Sequence, residues 1–165
     1  MNSSDRVKKS YSFLFIGCSL FVFYILQYLL DLKWQWLYDL QLDEEYKRWS
    51  GVFVGAFILF QWILTLTRVS KKLRKHAIRF TTLHKWIGVV SPIFFYIHAL
   101  EFGYGYLALL SYIFFINMIL GTVNLDIIKS QKEWIFKSWM VTHVLLSVVI
   151  TFLVVFHIGV VFYYE

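Results

Sequence analysis

Residues 138–164 run for 27 positions without an Asp, Glu, Lys or Arg. A helix needs about 20 predominantly apolar residues to cross roughly 30 Å of hydrocarbon, and in that medium the backbone polar groups have to be satisfied within the helix. This segment constrains the fold more than any other in the chain. Four further apolar runs accompany it, so the expected spans are residues 11–30, 51–69, 83–102, 106–125 and 138–163. At 59% hydrophobic and 21% aromatic residues, the chain has more apolar surface than a soluble domain of 165 residues can bury. The expectation is an all-α integral membrane protein, a five-helix transmembrane bundle in a single domain covering 1–165.

The connections give the orientation. Arg68, Lys71, Lys72, Arg74, Lys75, Arg79 and Lys85 gather between the second and third runs, and Lys129, Lys132 and Lys137 between the fourth and fifth. The alternate connections are acidic: residues 31–50 carry Asp31, Asp39, Asp43, Glu44 and Glu45, and the next such connection carries Glu101. Lys and Arg mark cytoplasmic loops, which places the N-terminus in the cytoplasm and the C-terminus outside, in the cell membrane. The net charge of +6 therefore faces lipid headgroups, not nucleic acid. Arg6, Lys8 and Lys9 precede the first run as in a signal peptide, but that run is long for an h-region and no A-x-A-like site follows it. The single cysteine, Cys18, excludes a disulfide framework and a Cys-based metal cluster within the chain, and is expected to be a buried small residue. Trp34, Trp36 and Tyr38 in the 31–50 connection suit the headgroup belt.

Four of the five histidines form two sets with one spacing. His84 and His98 stand fourteen positions apart in the third run, and His143 and His157 fourteen apart in the fifth. Fourteen residues is close to four helical turns, so each pair shares a helix face at roughly 21 Å separation. The third and fifth runs are parallel, because one helix returns between them. His84 then lies level with His143 near the cytoplasmic side, and His98 level with His157 near the outer side. Two opposed imidazole pairs, one above the other, suit the axial ligation of two haem b groups. Histidines four turns apart cannot share one zinc ion. Two axial histidines per iron leave no open position, which points to electron carriage and to no catalytic residue. As polar glue or a proton relay, the same histidines would build a haem-free scaffold.

Small residues follow each first histidine by four positions, Gly88 after His84 and Ser147 after His143, leaving room for a planar group between helices. Ser91 extends the small surface, and Pro92 removes the backbone bond to the Gly88 carbonyl and is expected to bend the helix. Phe94, Phe95 and Ile150 fall between the two levels, and Arg68, Arg79 and Lys85 have the depth to meet acidic groups of an inner cofactor. His76, in the basic connection, is expected in solvent.

The segments "LHKWIGVVSPIFFYIH" and "WMVTHVLLSVVITFLVVFH" resemble the two haem-binding helices of the ferric reductase-like transmembrane domain superfamily. That superfamily comprises the membrane portions of ferric reductases and NADPH oxidases and the haem-binding subunit of bacterial methionine sulfoxide reductase systems. The resemblance covers about residues 51–163. It implies two haem b groups held by His84, His143, His98 and His157, in the membrane subunit of an oxidoreductase. No Gly-rich dinucleotide fingerprint is present, so the expected donor is a separate cytoplasmic-side protein or a quinol, with an acceptor on the outer side. A quinone-linked cytochrome b that anchors a dehydrogenase is the alternative with the same histidines.

Overall fold

The computed structural model describes residues 3–123 and 132–164. Asp126, Lys129 and the expected end of the fourth span at Leu125 lie outside the described residues, as does Glu165. Regular structure is helical throughout, with no strand among the described residues. In chain order it comprises α1 Ser3–Leu29, α2 Gln35–Leu42, α3 Glu44–Gln61, α4 Ile63–Val69, a 3-10 turn Arg74–His76, α5 Ala77–His98, α6 Tyr106–Thr122 and α7 Glu133–Tyr163.

A helix occupies each of the five expected runs, but three are both long and apolar enough to cross a membrane: Ser10–Leu29, Glu44–Val69 and Glu133–Tyr163. Helix α6 is apolar but has 17 residues. Helix α5 has 22, and Arg79, His84, Lys85 and Ser91 dilute its apolar run.

Boundaries depart from the hydropathy pattern where capping intervenes. The second run becomes apolar at Gly51, yet α3 begins at Glu44, because the Asp43 carboxylate accepts from the Tyr46 N–H at 2.8 Å and Glu44 and Glu45 lie in the first turn. At Trp62 the rod tightens: its N–H donates to the Leu59 carbonyl, while its indole donates to Thr151 Oγ1 on α7 at 2.9 Å.

Helix α5 ends at His98, four residues short of the expected Phe102, because other elements take over its terminal backbone groups. Gln41 Nε2 donates to the Tyr96 and Ile97 carbonyls at 2.8 and 3.0 Å, and the Tyr46 hydroxyl donates to Ile97 at 3.0 Å. The Leu100 N–H donates back to Gln41 Oε1 at 3.0 Å, and Gln27 donates to the Leu100 carbonyl. These bonds supply partners that a helix C-terminus lacks within itself. Gly103 and Gly105, at φ +75° and +59°, then turn the chain into α6. Pro92 does not interrupt α5: the Ser91 hydroxyl donates at 2.7 Å to the Gly88 carbonyl that the missing proline N–H leaves free.

The core joins Tyr24 of α1, Phe95 of α5, Phe114, Phe115 and Met118 of α6 and Ile150 of α7. Helix α1 packs on α5 and α6, α3 on α5 and α7, and α6 on α5 and α7. The pair α5–α7 is not among the closely packed ones, so these two helices face each other across a gap framed by α3 and α6. Cys18 is half-buried on α1, against the expectation of full burial. His76 is exposed in the 3-10 turn, and Trp34 and Trp36 are each 60% exposed.

Candidate functional site

Side chains bridge the gap between α5 and α7 at two levels. The rings of His84 and His143 have centroids 6.1 Å apart, and those of His98 and His157 lie 6.5 Å apart. Contacts made in the same order along both helices mean that α5 and α7 run parallel. All four predicted histidines therefore meet in the predicted pairs. Among the described residues, no three His, Cys, Asp or Glu side chains cluster around a metal position. The histidines come two at a time.

Each pair borders a cavity. Around His84 and His143 there is about 400 Å³, and around His98 and His157 about 750 Å³, both of cofactor size. Gly88 and Ser147 line the first cavity, and a Cβ built on Gly88 would meet nothing within 4 Å. Ser147 also clasps two helices: its hydroxyl donates to the His143 carbonyl at 2.8 Å and accepts from Asn117 Nδ2 of α6 at 2.9 Å. Ser91, Arg68 and Lys85 border the same cavity, whereas Arg79 does not. Ile150 borders the first cavity and Phe95 the second, while Phe94 packs against Phe53 and Phe57 of α3.

The fit to axial ligation can be tested by distance. A metal–imidazole bond is about 2.0–2.1 Å, and the ring centre lies roughly 1.1 Å beyond the nitrogen, so two rings on opposite sides of one ion have centroids about 6.2–6.4 Å apart. The observed 6.1 and 6.5 Å bracket that value. Four buried polar atoms without a hydrogen-bond partner belong to residues lining the first cavity: His84 Nδ1, His143 Nδ1, Gln61 Oε1 and Asn117 Oδ1. The residues present fit a haem at each level.

No family model, curated protein or solved structure matches the chain.

The remaining contacts come from residues that sequence reasoning did not single out. Ser50 Oγ lies 3.0 Å from His98 Nδ1, and the Tyr106 hydroxyl lies 3.3 Å from His157 Nδ1. Trp139 stacks on His143 at 5.8 Å with the planes 6° apart, held by its indole N–H on the Leu120 carbonyl. Glycines of neighbouring helices seat two of the rings. A Cβ on Gly51 would come within 2.9 Å of His98 Cε1, and one on Gly121 within 3.0 Å of His143 Cε1. Two of these had a signal: Gly51 and Gly55 form a small-xxx-small pair in the second run, and Trp139 precedes His143 by four positions. Ser50 and Tyr106 had none, standing 48 and 51 positions from their histidines.

Proposed function

We propose that this chain is a ferric reductase-like membrane subunit of a reductase system, moving electrons across a cell membrane from a cytoplasmic-side donor to an outer-side acceptor. In this reading α1, α3 with α4, α5, α6 and α7 are the five spans, with the N-terminus in the cytoplasm. His84 and His143 hold the inner haem b, and His98 and His157 the outer one. Haem b supplies a one-electron iron centre at each level.

The chain's own residues set the conditions for that role. Paired histidines from two helices leave no position for a substrate at either level. Gly88 keeps the inner cavity open, and Arg68 and Lys85 offer positive charge to acidic groups at its edge. Apolar and aromatic side chains, Phe95 and Ile150 among them, limit water around the histidines, which bears on redox potential. The observation that carries the reading is the pairing of the four histidines across an α5–α7 gap at 6.1 and 6.5 Å.

The test is a reduced-minus-oxidised visible spectrum of the detergent-purified protein with pyridine-haemochrome quantification. Sharp low-spin b-type bands and two haems per chain are expected. No haem after expression with ample haem supply would overturn the reading.

A further inference from the structure

We infer that Ser50 is a positioning residue for the outer site, holding His98 in the tautomer that carries its proton on Nδ1 and its lone pair on Nε2. The inference rests on the proposed function and deepens it by naming what tunes one of the two sites.

Two contacts of one hydroxyl make the argument. Ser50 Oγ lies 3.1 Å from the Lys47 carbonyl and 3.0 Å from His98 Nδ1. A carbonyl oxygen only accepts, and a serine hydroxyl has a single proton to give. Both contacts are hydrogen bonds at once in only one arrangement: the hydroxyl donates to Lys47, and His98 Nδ1–H donates to the hydroxyl. The other ring nitrogen, Nε2, is then the unprotonated one, as metal ligation requires. The next residue completes the seat, since Gly51 has no side chain where a Cβ would press to 2.9 Å from His98 Cε1. The sequence Ser50-Gly51 thus supplies an acceptor and a space in adjacent positions of α3.

The other three histidines are fastened differently. The Tyr106 phenol meets His157 Nδ1 at 3.3 Å, a contact that can run either way. His84 and His143 face the backbone carbonyls of Gln61 and Asn117, without a close hydrogen bond at Nδ1. A ligating imidazole that donates its second N–H becomes the more basic ligand and favours ferric iron, so Ser50 holds the outer potential down.

The experiment joins two readouts on detergent-purified wild type, Ser50→Ala and Ser50→Thr. Nitrogen-15 NMR of histidine-labelled protein reads the hydrogen bond at His98 Nδ1–H, and a redox titration followed by visible spectra reads both midpoint potentials. In the wild type, His98 is expected in the Nδ1–H form. Ser50→Ala is expected to shift one midpoint potential upward, leave the other in place and weaken haem retention at that site about 10- to 100-fold. Ser50→Thr, which keeps the hydroxyl, is expected to match the wild type in both readouts and shows that the effect is not one of folding. Two haems in the wild type with unchanged potentials and an unchanged His98 Nδ1–H resonance in Ser50→Ala would overturn the inference and leave the proposed function standing. A wild type without haem would overturn both.

Discussion

The two histidine pairs share residue type and spacing, and their ring separations differ by only 0.4 Å. They are fastened by different means. The His98–His157 pair is tied by side-chain hydroxyls, Ser50 from the first turns of α3 and Tyr106 from the first residue of α6. The His84–His143 pair meets no side-chain hydroxyl: its rings face the backbone carbonyls of Gln61 and Asn117, Trp139 stacks on His143, and Gly121 seats it. Position along the helices explains the contrast. The His98–His157 pair lies beside the acidic connections, where α3 and α6 start and polar side chains are available. The opposite pair meets α3 and α6 at their other ends, where Gln61 and Asn117 carry unsatisfied carbonyl oxygens of their own. One repeated histidine spacing can therefore support two pairs with separate surroundings.

Substitutions that act on one pair alone break this comparison most sharply. The largest effect is expected from the seating glycines. If the pairs hold haem as proposed, Gly51→Leu should displace His98 and strip the haem of the His98–His157 pair, and Gly121→Leu should displace His143 and strip that of the His84–His143 pair, each leaving one haem per chain. Pyridine-haemochrome counts check this, and loss of both haems in either variant would show that the sites are not independent. Next comes Gln41→Leu, which removes the buried amide that closes the end of α5 and takes the side-chain partner from the Tyr96 carbonyl and the Leu100 N–H. A loss of about 1–3 kcal/mol in stability is expected, with outer-site haem lost ahead of inner-site haem on heating. Trp139→Ala is expected to lower haem retention at the His84–His143 site alone, by about 1 kcal/mol for the lost aromatic stack. The smallest effect belongs to Arg68→Gln and Lys85→Gln, which should shift the inner potential slightly and in a salt-dependent way, leaving the outer one unmoved.

Much of this site was legible in the chain because helical periodicity acts locally. Fourteen residues return to one helix face whatever surrounds them, and one returning helix makes the two runs parallel, so the two levels followed from the sequence, while the facing of the two helices did not. The apolar runs likewise marked five helices, but hydropathy could not find where they begin. Asp43 caps α3 well before the chain turns apolar, and Gln41 and Tyr46 close α5 before its apolar run ends. The fastening of the rings was beyond reach for another reason. Ser50 and Tyr106 act on histidines of other helices, and nothing in the spacing of one helix sets its rotation against the next. Even Ser147, expected as a space-giving residue, proved also to be a polar clasp between α6 and α7.

The central claim is the pairing itself, and double variants test it most directly. If His84 belongs with His143 and His98 with His157, then His84→Ala/His143→Ala and His98→Ala/His157→Ala each destroy one site and should retain one haem per chain. The cross-pair variants His84→Ala/His157→Ala and His98→Ala/His143→Ala damage both sites and should retain none. Equal haem content in same-pair and cross-pair variants, or two haems in any of them, would contradict the account.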